Sequence, residues 1–182
     1  MFEEHYEVID GIRLHYVDEG SGPPILLVHG QPTWSYLYRK MIQPLVAAGY
    51  RCISPDLMGF GLSDKPTDES AYTLKRHVEL VTGLVERLQI QGVTIVGQDW
   101  GGPAGMGALA RSPDLLKGAV LLNTGFNAPK EEMNLSRAHA IVKTPVVGEL
   151  MLEVFLSIFE RLPRMQGDPH SLPADVVELY GR

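Results

Sequence analysis

"VGQDWGG", residues 96–102, follows the apolar run "VTIVGQ" and precedes a glycine- and alanine-rich helical segment. The pattern Gly97-x-Asp99-x-Gly101 has the glycines that a sharp strand-to-helix elbow needs where backbones pass closely, and such elbows present a nucleophile at the central position. That position usually holds a hydroxyl, which needs a base and suits attack on a trigonal carbonyl carbon. Asp99 offers instead a carboxylate, already ionised at neutral pH and able to displace a leaving group from a saturated carbon without base assistance. Taken by itself the stretch reads first as a helix capped by Asp99, because aspartate is a favoured N-cap residue.

Working outward, "HYEVID" and "IRLHYVD" alternate around Asp10-Gly11, a dipeptide suited to a tight hairpin turn. "PPILLVHG", "RCISPD", "VTIVGQ" and "GAVLLNTG" are short apolar runs, each ending at a polar residue or glycine, as buried parallel strands do. Helical segments are expected between them over residues 35–48, 73–90 and 101–112. In the clearest, with Thr73 as N-cap, Leu74, Val78, Val81, Leu84, Val85 and Leu88 share one face. Strand-helix alternation of this kind makes an α/β protein with helices on both faces of a mostly parallel sheet. After Asn123 the strands stop, and proline-separated helical segments follow. The expected division is a core over residues 1–126, through the sixth strand, and part of a helical cap over 127–182.

Composition excludes several classes of function. The formal net charge is −6 and no Lys/Arg cluster occurs, so the concentrated basic charge behind nucleic-acid affinity is missing. No apolar run approaches the roughly 20 residues that cross a bilayer, and the opening "MFEEHYEVID" is acidic. A cytoplasmic protein without nucleic-acid or membrane partners is expected. Cys52, the single cysteine, reads as a small buried apolar residue in a strand.

Two further stretches raise the odds on Asp99: "VHGQPTW" follows the third strand and the glycine-rich "PDLMGFGLSD" the fourth. With three motifs in register on successive strands, the sequence resembles the α/β-hydrolase superfamily. Within it, "HGQPTWSYLYRKM", "GFGLSDKP" and "QDWGG" resemble the haloalkane dehalogenases. The resemblance implies a small apolar halogenated substrate, water as cosubstrate, no cofactor and no metal. It makes Asp99 the nucleophile, with the backbone N–H groups of Gln31 and Trp100 as the oxyanion hole. A halide leaving into an apolar pocket needs hydrogen-bond donors. The Trp100 indole N–H supplies one, and the Gln31 amide stands in for the Asn or Glu usual in the oxyanion loop. The epoxide hydrolases share the Asp elbow and the following Trp; they would call on cap tyrosines, for which this stretch offers Tyr180. An alternative of another class is a non-catalytic α/β-hydrolase-fold protein that binds small apolar molecules.

Around these residues, Trp34 reads as packing, His29 as a brace for the oxyanion loop, Asp64 as a fixer of the loop after the fourth strand and Asp56 as a turn residue. Hydrolysis of an Asp99 ester requires a histidine base and an acid. In the resembling family the histidine follows the last strand. His5, His15, His29, His77, His139 and His170 all lie elsewhere, and Asn123 stands where some members carry the acid. The resemblance therefore covers the N-terminal part of a member, truncated before the last strands. The edge of the sixth strand is expected to be open, and the chain to be inactive or limited to a single turnover.

Overall fold

The computed structural model describes residues 2–125 and 173–180. The chain divides into two units, Met1–Phe126 and Asn127–Arg182. In the second, the described residues form one short helix, Ala174–Tyr180.

The first unit opens with β1 (His5–Ile9) and β2 (Ile12–Glu19), an antiparallel pair with Ile9 opposite Ile12. Asp10 and Gly11 between them take φ of 54° and 79°, the two left-handed positions that the dipeptide forecast. Next come β3 (Pro24–Val28), α1 (Arg39–Ala47), β4 (Arg51–Pro55), α2 (Leu74–Arg87), β5 (Val93–Gln98), α3 (Gly101–Leu109) and β6 (Leu116–Leu122). The strands form one sheet in the order β1-β2-β4-β3-β5-β6, in which β4, β3, β5 and β6 run parallel. This is the expected α/β architecture.

Alternation along the central strands explains why they read as unbroken apolar runs. Leu26 and Val28 of β3, Ile53 of β4 and Ile95 of β5 enter one core with α2 and α3. Ile25 and Leu27, Cys52 and Val96 face the other core with Ile42 of α1. Both faces of the sheet are thus covered. The crossover through α1 leads from β3 to β4, and those through α2 and α3 lead back across to β5 and β6, which places their helices on opposite faces.

Three boundaries differ from expectation. Residues 35–38 form a 3-10 turn before α1, as is common at helix N-termini, with no side-chain cap from Trp34. The second helix is capped by Thr73, whose hydroxyl accepts from the Arg76 N–H at 3.1 Å. It ends at Arg87, since Gln89 turns left-handed at φ 51°. The third ends at Leu109 rather than at residue 112. On α2, Leu80 joins Val81, Leu84 and Val85 in the core, whereas Leu74, expected there, is 41% exposed. Among the described residues β6 is an edge strand, with Val120, Leu121 and Leu122 exposed.

Candidate active site

β3 and β5 lie side by side with Val28 opposite Gly97, so the chain leaves both strands at the same end of the sheet. From there β3 leads toward the helix on one face and β5 toward the helix on the other, the switch point at which open α/β sheets form clefts. Asp99 sits one residue beyond β5 at φ 51°. For a residue other than glycine that conformation costs roughly 1–3 kcal/mol and persists where its surroundings hold it. Here the Asp99 N–H donates to the Leu122 carbonyl at 3.2 Å, while its own carbonyl accepts from the Thr124 hydroxyl at 2.6 Å and the Gly102 N–H at 3.1 Å. Two glycines make room: a Cβ on Gly30 would strike the Asp99 side chain, and one on Gly101 the Val28 carbonyl.

The helix-cap reading of Asp99 does not hold. The N-cap of α3 is Trp100, and the Asp99 carboxylate accepts instead from across the sheet, from the Gln31 N–H to Oδ1 at 3.0 Å. The loop presenting that amide is braced from below. Gly30's carbonyl accepts from the Thr33 amide at 2.9 Å and the Thr33 hydroxyl at 2.8 Å. His29 Nδ1 donates to the same carbonyl at 3.0 Å, and its Nε2 accepts from the Leu57 amide at 2.8 Å. Those partners fix the neutral imidazole with its proton on Nδ1, and complete burial pushes its pKa below the ordinary histidine value. His29 is therefore a brace, with both ring nitrogens engaged.

Trp100 projects from the elbow, 53% exposed, and among the described residues no group accepts its indole N–H. A cleft opens on each side of it. One, of about 430 Å³, is lined by Asp99, Pro103, Asn123 and Thr124. The other, of about 370 Å³, is lined by Gln31, Leu57, Phe60, His77 and Ala104. Asn123, at φ 44°, thus lines the same cleft as Asp99.

One reading needs correction: Asp56 is no simple turn residue. It is fully buried, and its carboxylate accepts from the Ser35 amide, the Leu62 amide and His15 Nδ1, each at 2.8 Å. Burial by itself would raise its pKa, but the His15 ring and the two amides outweigh that and hold it below the ordinary aspartate value. Asp56 joins β2, the segment after the Gln31 loop and the glycine-rich loop. Asp64 does fix that loop, accepting from the Arg13 amide at 2.8 Å. Trp34 stacks on Tyr36. Tyr180 ends the short helix of the second unit. His139 and His170 lie outside the described residues. Sequence reasoning missed Thr124, which locks the elbow from β6, and His77, which reaches a cleft beside Trp100. A hydroxyl two residues past β6 and a histidine on the first turn of α2 were the available signals.

A family model described as the alpha/beta hydrolase fold matches residues 23–155. A haloalkane dehalogenase from Mycobacterium marinum is 52% identical over 117 residues, which are 63% of this chain and 39% of that protein. Among solved structures, the haloalkane dehalogenase DatA from Agrobacterium tumefaciens superposes with a TM-score of 0.82 at 28% identity, covering 98% of this chain and 61% of that one. An epoxide hydrolase from Vigna radiata superposes with a TM-score of 0.85 at 25% identity, covering 98% and 66%. The chain spans between 38% and 57% of the length of the curated haloalkane dehalogenases it matches.

Proposed function

From the premise that the chain belongs to the α/β hydrolase fold family, we propose that it carries the nucleophilic half of a haloalkane dehalogenase. The observation that carries this reading is the Asp99 carboxylate, raised at a left-handed elbow over a cleft and held by the Gln31 amide at 3.0 Å. One carboxylate oxygen attacks an aliphatic carbon, the carbon–halogen bond breaks, and halide departs with the bonding pair. The indole N–H of Trp100 is the donor for that anion, while the Gln31 amide stays on Asp99 Oδ1. The product is an alkyl ester of Asp99, and the amides of Gln31 and Trp100 are the oxyanion hole for its hydrolysis by water. The core over residues 1–126 supplies this machinery, and residues 127–182 belong to a cap.

Among the described residues no histidine bonds the Asp99 carboxylate: His15 is held by Asp56, and His29 by Gly30 and Leu57. We propose for the 182-residue polypeptide the alkylation step without turnover. Mass spectrometry after incubation with 1-bromobutane tests this. A single butyl adduct on Asp99, absent from Asp99→Ala, is expected. An adduct count unaffected by that substitution refutes the nucleophile, and release of many equivalents of butanol refutes the single turnover. The epoxide-hydrolase likeness supports a second reading with the same nucleophile. Faster adduct formation with 1,2-epoxybutane than with 1-bromobutane would favour it.

A further inference from the structure

β5 and β6 pair in parallel as far as Gln98 opposite Leu122, which makes Asp99 and Asn123 the next pair in register. Both leave their strands through left-handed backbone, at φ 51° and 44°. The ladder nevertheless runs one bond further, because the Asp99 N–H donates to the Leu122 carbonyl at 3.2 Å, as the next rung of a parallel pair would. The rung after that would be the Thr124 amide donating to the Asp99 carbonyl. Asn123 turns the chain away from strand geometry just before it. The Thr124 side chain takes that place, its hydroxyl donating to the Asp99 carbonyl at 2.6 Å.

The hydroxyl has a fixed seat. A Cβ on Gly102 would strike the Oγ1, the methyl and the Cβ of Thr124, so the first turn of α3 packs directly on this side chain. Gly102 in turn donates its own N–H to the same Asp99 carbonyl at 3.1 Å. The peptide groups on both sides of the Asp99 Cα are thereby pinned, one by Leu122 and the other by Thr124 and Gly102. With both planes held, the Cα–Cβ bond has one direction, and along it the carboxylate meets the Gln31 amide at 3.0 Å. Of the two donors on the Asp99 carbonyl, the hydroxyl makes the shorter bond and is the one that comes from outside the elbow's own turn.

We propose that Thr124 is a positioning residue for the nucleophile: its hydroxyl replaces a missing ladder amide and so sets the aim of the Asp99 carboxylate. This rests on the dehalogenase reading of Asp99. Thr124 acts through the Asp99 backbone, so its loss should slow the displacement, which depends on a near-attack alignment of carboxylate and carbon, and leave the entry of substrate into the cleft unchanged.

The test follows butyl-adduct formation by the full 182-residue chain over a range of 1-bromobutane concentrations, which separates the limiting rate from the half-saturation concentration. Thr124→Val keeps the shape and deletes the hydroxyl; it should lower the limiting rate about tenfold and move half-saturation by less than about twofold. Thr124→Ser keeps the hydroxyl and should restore the rate to within about threefold of wild type. Should the Val variant fail to fold, Thr124→Ala, which adds no atom, carries the same expectation. A Val rate equal to wild type overturns the proposal, and so does a Ser rate as low as that of Val. The amide proton resonance of Gln31 gives a readout that needs no reaction: losing its bond to a displaced carboxylate should move it upfield in Thr124→Val but not in Thr124→Ser. An adduct missing from wild type sinks the nucleophile reading, and the Gln31 resonance then decides Thr124 by itself, since an unmoved signal in the Val variant overturns the positioning role.

Discussion

Replacing Asp56 by alanine removes a buried carboxylate that three donors share. Two of them, the His15 ring and the Ser35 amide, belong to residues that are only 2% exposed and have no route to water. A buried donor left unpaired costs about 1–3 kcal/mol, so stranding these two costs about 4 kcal/mol. Leu62 is 40% exposed, and hydration of its amide adds little to that figure. Asp56→Asn should behave differently. Its amide oxygen can keep the Ser35 N–H and its NH₂ can donate to His15 Nδ1, which strands the Leu62 amide and costs about 1 kcal/mol. In urea unfolding followed by circular dichroism, a slope of about 2 kcal/mol/M converts these into midpoint decreases of about 2 M for alanine and about 0.5 M for asparagine. The pH dependence gives a second readout. A carboxylate whose folded pKa is depressed contributes stability that is present above its unfolded value near 3.9 and lost as pH falls through the folded value. Wild type should therefore lose stability below about pH 4 more steeply than Asp56→Asn. Equal, small midpoint shifts for both variants would refute the idea that Asp56 joins the three segments.

Trp100→Phe deletes an indole N–H with little loss of volume and should weaken chloride or bromide binding about tenfold, read from halide quenching of the remaining tryptophan or by calorimetry; unchanged affinity would make Trp100 a packing residue. Gly30→Ala drives a Cβ into the Asp99 side chain and should slow adduct formation with 1-bromobutane at least tenfold; an undiminished rate would show that the carboxylate has room to move. His29, with its pKa depressed by burial, contributes stability present above about pH 6.5 and lost as pH falls below it, so His29→Asn should flatten the urea midpoint between pH 6.5 and 5. The limb should not vanish, because burial shifts His77 in the same direction.

What the sequence disclosed and what it concealed divide by range along the chain. Asp10-Gly11, the Thr73 cap, the alternating faces of β3 and the glycines around Asp99 are local signals, since each constrains φ, ψ or burial within a few residues of itself. Asp56 was opaque because its partners lie 41, 21 and 6 residues away, and only the sheet order brings β2 beside β4. Leu74 misled in the opposite sense. Periodicity says which face of a helix it shares, but not that the first turn of α2 runs past the edge of the core and over a cleft. The contact between Gln31 and Asp99, 68 residues apart, became legible through motif resemblance and not through spacing.

That contact also decides how the proposed reaction would proceed. With Oδ1 held by the Gln31 amide at 3.0 Å, the two carboxylate oxygens are no longer equivalent. The hydrogen bond lowers the nucleophilicity of Oδ1 and leaves Oδ2 to attack, so Oδ2 becomes the ester oxygen and Oδ1 the ester carbonyl. The negative charge that forms when water adds to that ester develops on Oδ1, where the amide already points. A donor that modestly stabilises the resting carboxylate thus stabilises the tetrahedral intermediate far more, since the charge shared by two oxygens at rest concentrates on one. An elbow with aspartate in place of a hydroxyl can therefore use the same loop amide for a displacement at saturated carbon and for the hydrolysis that follows, with no rearrangement of the backbone between the two steps.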